Sequence, residues 1–376
     1  MADDRWPNAG RKITIKPTGV VKSPAFHTRY PRVINENLIE AGSKAAMDES
    51  WKRGLFEERD LEFFRIAGAH VVGECLILDQ ELQVIQNVSD EYTDDEIQQA
   101  VKDVRAGREA STLPHFDRLT ILAKRRAAHN YGHYLMEMLP MAVVGAKVAD
   151  EKNPRYLLHQ VPPPAQDVVF RSFRLLGIDL NNLLVQGSRE PMYFEDLLVV
   201  RGLTRHGTYM SPLSIMATDE MAKRTASAWG TMPGRGHDKL FVRRVPGWRR
   251  GRDLHNEDEV YQHLSARGFF GIEPGTMSLD QQIAVFSRAS HIVGVAGAAM
   301  TNIAFCRPGT KVTLLFPGAF PDTFFWFIAQ HKKLDYLEIR GDQNSYEPPD
   351  SWNAGFTIRE KDIQYLMDVR SVTEPG

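Results

Sequence analysis

In Asn130-Tyr-Gly-His-Tyr-Leu-Met-Glu-Met-Leu-Pro140, His133 and Glu137 stand four residues apart, so a helix would put both on one face. An imidazole is a general base near neutral pH, and a carboxylate beside it orients the ring. The same spacing also reads as a plain ion pair on a helix face, or as two ligands of a metal. No further His or Asp at helical spacing completes a metal set.

The stretch Arg243-Arg244-Val-Pro-Gly-Trp-Arg-Arg-Gly-Arg252 carries five arginines just past an expected strand, Lys239-Leu-Phe-Val. Arginine meets phosphate with a planar fork of donors. A solvated basic loop is the competing reading. Trp248 is the one interleaved aromatic, which argues against a nucleic-acid surface.

The third feature is Gly294-Val-Ala-Gly297-Ala298-Ala-Met-Thr301-Asn302, at a strand-to-helix junction. Small side chains let backbone N–H groups approach a phosphate, and a helix N-terminus favours an anion. It is neither GxGxxG nor a P-loop. A tight packing turn would have the same composition. There is no Gly-x-Ser-x-Gly elbow, His-Glu-x-x-His helix or Asp-Phe-Gly.

The elements that hold these residues follow from periodicity. Residues 64–86 read as a hairpin with a turn near Asp79-Gln80, and 118–123 as a strand. A helix from Asn130 is expected to stop near Pro140. Arg155-Tyr-Leu-Leu, Leu183-Leu-Val and Leu197-Leu-Val-Val read as strands. Between the first two, Pro162-Pro-Pro opens an amphipathic helix closed by Gly177. The Gly/Pro-rich residues 229–238 suggest a boundary. Beyond it the pattern alternates β-α-β-α-β-α-β. Asn256 with Glu259, and Ser278 with Gln281, read as capping boxes. The alternation predicts an α/β fold with a parallel, doubly wound sheet, whose ligands bind at the carboxyl ends of its strands. The expected division is 1–230, 236–345 and a tail, 346–376, returning to the first domain.

At 376 residues, with 46 Lys+Arg against 48 Asp+Glu, the chain is long enough for two or three domains and carries a charge of −2. That balance argues against a dedicated nucleic-acid binder. Two cysteines, Cys75 and Cys306, exclude a disulfide scaffold and a cysteine zinc cluster. Both sit among apolar residues and read as buried thiols, suited to a reducing compartment. No signal peptide or membrane span is expected, so the reading is cytoplasmic, with membrane contact at most peripheral.

Taken in order, Asn-Tyr-x-His-Tyr-Leu-x-Glu-x-Leu-Pro, the arginine loop, Asn-Glu-Asp-Glu, Ser-Leu-x-Gln-Gln-Ile-x-Val-Phe, Val-Gly-x-x-Gly-Ala-x-x-Thr-Asn and Pro-Gly-Thr-Lys-Val resemble glycosyltransferase family 61. That group includes plant β-xylosyltransferases, EGF-domain O-GlcNAc transferases and bacterial capsule-type enzymes of polysaccharide biosynthesis. The chain departs from the family pattern at Ala296, where a His is usual, at Ala299, where a Gly is usual, and at Val242, where a Ser is usual.

The resemblance implies a GT-B architecture, two Rossmann-like domains facing across a cleft. It implies inverting transfer from a nucleotide-sugar donor, typically UDP-linked, to a saccharide or glycoconjugate hydroxyl, with no obligatory metal or other cofactor. His133 and Glu137 would be base and orienter. Arg243 would be the first diphosphate ligand, followed by Arg244 and the turn Gly297, Ala298, Thr301. Asn256, Glu257 and Asn302 would lie on the donor side. A binding or scaffold protein that has kept the fold and lost catalysis is the alternative, motivated by Ala296.

Overall fold

Fourteen residues from Arg59 to Val72 form the longest strand of the computed structural model. From Phe64 to Ala67 it alternates, burying Phe64 and Ile66 and exposing Arg65 and Ala67; from Gly68 to Val72 it is buried continuously. That change of pattern matches a strand that passes from a half-solvated antiparallel region into a covered core. The structure describes residues 7–205, 207–225, 236–244, 251–344 and 352–366. Trp248, Arg249 and Arg250 of the arginine loop, the break at Pro233, and the tail residues 346–351 and 367–376 lie outside the described residues.

The chain divides into two units, Met1–Pro24 with Glu58–Thr204, and Ala25–Glu57 with Arg205–Gly376. In the first unit, one ten-stranded sheet joins two regions. Arg59–Val72 pairs antiparallel with Leu76–Leu78, which pairs with Val84–Ile85, so the expected hairpin region is a three-stranded meander. On its other side Arg59–Val72 pairs antiparallel with Pro191–Val200. From there the sheet turns parallel, in the order Pro191–Val200, Thr120–Leu122, Arg155–His159, Leu183–Gln186. Helices Leu139–Ala149 and Pro163–Leu175 make the crossovers. Gly177 sits at φ +78° just past the second one, the left-handed position at which glycine ends a helix without a Cβ penalty.

The second unit has a parallel sheet in the order Phe270–Ile272, Lys239–Val242, His291–Val295, Lys311–Pro317, Asp335–Gln343. In chain order that is 2-1-3-4-5, a doubly wound sheet whose order reverses between Lys239–Val242 and His291–Val295. Helices Glu257–Ser265, Leu279–Arg288 and Phe324–Lys332 and the 3₁₀ helix Ala298–Phe305 connect the strands. The protein is therefore α/β in both units.

Several details differ from the sequence reading. The division falls after Thr204, not near residue 230, because helix Met216–Thr225 buries Ala217 and Met221 and packs on Leu279–Arg288 and Ala298–Phe305. Residues 25–57 join the second unit because Arg32–Ile34 adds a parallel strand at Leu337–Ile339. The described part of the tail stays there too, with Phe356–Thr357 antiparallel to Asp342–Gln343. Pro140 does not stop its helix. A π-helical turn, Tyr134–Met138, precedes it, and Leu139 N–H bonds Tyr134 O five residues back before the α-helix resumes through Pro140. The i→i+5 bond of the π turn resets the bonding pattern just before the proline, which has no N–H to give.

Of the two expected capping boxes, Ser278 with Gln281 forms in full. Asn256 does not cap with its side chain. Its amide exchanges bonds with the backbone of Ile358, Nδ2 donating to the carbonyl at 2.8 Å and Oδ1 accepting from the N–H at 3.1 Å. Two backbone bonds to a distant segment replace the cap, while Nδ2 also donates to Glu259 Oε2 at 3.0 Å.

Candidate functional site

In the first unit the carboxyl ends of the parallel strands carry a dense set of polar residues. Asn130 opens the helical segment, its side-chain oxygen accepting from Gly132 N–H at 2.9 Å. That start and the π turn set His133 and Glu137 side by side, with Nδ1 of the ring 2.8 Å from Oε1 of the carboxylate. The ring is 30% exposed and the carboxylate 12%, so His133 is partly exposed while Glu137 is largely enclosed. Nδ1–H donating to Glu137 fixes the tautomer that leaves Nε2 as acceptor.

Around this pair stand residues that the sequence pattern did not single out. Arg125, just beyond Thr120–Leu122, puts Nη1 3.8 Å from Glu137 Oε2. The same guanidinium donates from Nε and Nη2 to Asp90 Oδ1 at 3.1 and 2.9 Å. Arg201, just past Pro191–Val200, reaches that oxygen at 3.3 Å, and the Arg126 backbone N–H donates to Asp90 Oδ2 at 2.8 Å. Burial pushes the Asp90 carboxyl up, but Arg125, this N–H and Arg201 outweigh it and hold the group below its ordinary value. Lys124 is fully buried and donates to Gly73 O at 2.5 Å and to Gln186 Oε1. Burial pushes its amine down to about 7. His159, at the end of the neighbouring strand, is pushed down to about 4, mainly by burial, with Lys124 adding.

In the second unit the point where strand order reverses is lined by arginines. Arg243 donates from Nε to Glu257 Oε1 at 2.8 Å and from Nη2 to Asp258 Oδ1 at 3.0 Å, with its guanidinium 5.1 Å from the Tyr261 ring centroid. Glu257 raises the Arg243 pKa further. Arg244 lies across the reversal. Nη2 donates to Ala296 O at 3.1 Å and Nη1 to Gly251 O at 2.5 Å. A Cβ on Gly297 would sit 2.8 Å from Arg244 Nη2, so a larger residue there would displace the guanidinium. Arg252 packs its guanidinium 4.7 Å from the centroid of Phe320, and its buried Nε has no hydrogen-bond partner among the described residues. Ala298 is exposed at the start of the 3₁₀ helix.

The remaining donor-side residues face inward. Thr301 is fully buried, and its hydroxyl has no partner among the described residues. Asn302 is also fully buried, donating to Gln282 Oε1 at 2.8 Å and to Ala299 O at 3.0 Å, so its amide braces the fold behind the turn. Asn256 is occupied at Ile358, as described above. The structure thus joins His133 to Glu137, Arg243 to Glu257, and Arg244 to the Gly297 turn, and it withdraws Asn302 and Asn256 into packing roles. Cys75 and Cys306 are buried free thiols, pushed up to about 11 and about 12 by burial, which makes them poor nucleophiles. No helix among the described residues is long and apolar enough to cross a membrane.

No curated protein matches the chain. Residues 131–313 match the family model described as Glycosyltransferase 61, a span that begins at the helix bearing His133 and ends in the strand Lys311–Pro317. The match covers both the His133–Glu137 pair and the arginine-lined strand reversal, and it supports placing the chain in this family of glycosyltransferases.

Proposed function

We propose that the protein is an inverting glycosyltransferase of the GT-B type, moving a sugar from a UDP-linked donor to a hydroxyl of a saccharide or glycoconjugate. The hydrogen-bonded His133–Glu137 pair within the matched span carries this reading. In the reaction the acceptor oxygen attacks the anomeric carbon and the carbon–oxygen bond to the diphosphate breaks. The acceptor proton passes to His133 Nε2, and Glu137 takes up the charge that forms on the ring. The leaving diphosphate departs with its negative charge, which needs fixed donors. Arg244 and Arg252 are the arginines we assign to it, together with the N–H groups that open the 3₁₀ helix Ala298–Phe305. In this scheme neither proton transfer nor charge neutralisation calls on a metal. The second unit takes the donor and the first unit the acceptor. We place the reaction in the cytoplasm, at the inner face of the membrane, in assembly of a capsule-type polysaccharide.

The test is a thermal-shift screen against nucleotides and nucleotide sugars, followed by release of UDP from whichever UDP-sugar stabilises the protein. A ligand at 100 times its dissociation constant adds about 2.7 kcal/mol. His133→Ala should keep the thermal shift and lose about 10²–10⁴-fold in UDP release. If no nucleotide sugar stabilises the protein, or if His133→Ala releases UDP at the wild-type rate, the assignment fails. Stabilisation without any turnover would favour the binding-only alternative.

A further inference from the structure

Four ionisable groups form a chain that starts at the imidazole: Glu137, Arg125, Asp90 and Arg201. Glu137 gives Oε1 to the ring and turns Oε2 toward Arg125 Nη1 at 3.8 Å. Arg125 is a long side chain that would otherwise sample many rotamers. Two of its donors, Nε and Nη2, are fixed on a single oxygen of Asp90. Asp90 is itself immobilised. Its carboxylate is 6% exposed, its second oxygen accepts from Arg126 N–H, and its own N–H donates to Cys75 O at 3.1 Å. Arg201 closes the far side, donating to Asp90 and, through Nη2, to Ser89 O at 3.2 Å.

We propose that Asp90 and Arg125 are positioning residues for the His133–Glu137 pair: Asp90 fixes the Arg125 fork, and Arg125 fixes the carboxylate that orients the ring. The proposal rests on the reading of His133 as the base. Two cations and two anions make the four-group chain neutral, and its member nearest the ring is the anion Glu137, which supports the imidazolium that forms when His133 takes the acceptor proton. Further ionisable groups stand on neighbouring segments. Arg126 pairs with Glu96 at 2.6 Å, and Lys124 is buried against Gly73 and Gln186. His159 lies on the next strand end.

The neutrality gives two opposite shifts that a merely structural role would not produce. Arg125→Met leaves an extra negative charge beside the ring, and the titration midpoint of His133 should move up. Asp90→Asn leaves an extra positive charge, and the midpoint should move down. Arg125→Lys keeps the charge and loses the fork, so the midpoint should stay while UDP release falls about 10-fold or more through misplacement. The experiment is a nitrogen-15 NMR titration of the histidines in the full chain, with His133→Ala identifying the His133 signals. UDP release is followed in parallel, and far-UV circular dichroism confirms folding.

Midpoints that move the same way in Arg125→Met and Asp90→Asn, or that stay put in both, overturn the relay. If either variant fails to fold, Arg125→Lys decides it: a wild-type rate of UDP release overturns the relay, and a reduced rate at an unchanged midpoint supports it. Failure of the underlying reading looks different. There the midpoints shift as expected, but His133→Ala releases UDP at the wild-type rate.

Discussion

Arg243 Nε donates to Glu257 Oε1 over 2.8 Å, so the arginine expected to hold the diphosphate is already bound to a carboxylate that is 11% exposed. The pair ties the end of strand Lys239–Val242 to the start of helix Glu257–Ser265. It also places an acid in the first turn, where the helix dipole favours it. Arg243→Ala should therefore weaken the fold more than it weakens donor binding. We expect a loss of about 1–2 kcal/mol in denaturant unfolding, a modest figure because the guanidinium is partly solvated. Arg244→Ala should do the reverse, sparing stability and weakening the thermal shift given by a nucleotide sugar. The opposite ranking of the two variants would return the phosphate role to Arg243.

Two glycines of the same junction make a paired test. At Gly297 a Cβ meets the far end of the flexible Arg244 side chain at 2.8 Å, and that end can swing aside. At Gly294 a Cβ meets Met300 Sδ at 2.6 Å and Val242 Cβ at 2.9 Å inside the sheet. Gly294→Ala should cost about 1–3 kcal/mol by overpacking. Gly297→Ala should change stability by less than about 0.5 kcal/mol. It should still displace Arg244 from Ala296 O and weaken donor binding about 10-fold, close to 1.4 kcal/mol. Thermal melts with and without the donor separate the two effects. A Gly297→Ala protein that binds the donor as the wild type does would remove Arg244 from the donor site.

The second unit was the more legible half because its signals are local. Ser278 with Gln281, the run His291–Val295 and the glycine at 268 each declare an element within a few residues. The His133–Glu137 contact was legible for the same reason, being four residues apart on one helical face. What the pattern could not reach was pairing over distance. Asp90 meets Arg201 across 111 positions, and Asn256 leaves its expected cap for Ile358, 102 residues on. Nor could the pattern show that Arg243 is occupied, because Glu257 reads equally well as a free charge on a helix start. The strand Arg32–Ile34 was invisible for a related reason: three half-buried residues become a strand only when Leu337–Ile339 offers an edge.

Buried and half-buried histidines set the acid limit of stability. Burial pushes His70, His159, His291 and His331 down to about 4 each. In the unfolded chain they titrate near 6.5. Between those values the unfolded state binds protons that the native state does not, so stability falls as pH drops from about 6.5 toward 4. The midpoint of urea unfolding should decrease steeply over that window. His331→Asn should flatten the slope by up to one proton, about 1.4 kcal/mol per pH unit. An unchanged slope in that variant would mean that His331 already takes up its proton in the folded protein.

Lys124 gives the opposite limb. Its nitrogen is fully buried and donates to Gly73 O and Gln186 Oε1, and a neutral amine has two N–H groups to give. The geometry thus suits the uncharged form, and burial pushes the group down to about 7. An unfolded lysine titrates near 10.4. Above pH 7 the native amine is neutral while the unfolded one still binds a proton, so stability should rise with pH from about 7 upward. Cys75 opposes this higher up. Its thiol is pushed to about 11 by burial, and the unfolded thiol loses its proton near 8.5, so the clean window is about 7 to 8.5. There the slope of unfolding free energy against pH should exceed that of Lys124→Met by close to one proton, about 1.4 kcal/mol per unit. Methionine keeps the length of the side chain but strands the Gly73 carbonyl and Gln186. The variant should therefore be less stable at pH 8.5, with the gap narrowing as pH falls to 7. A gap that is constant across the window would show that Lys124 keeps its charge in the folded protein.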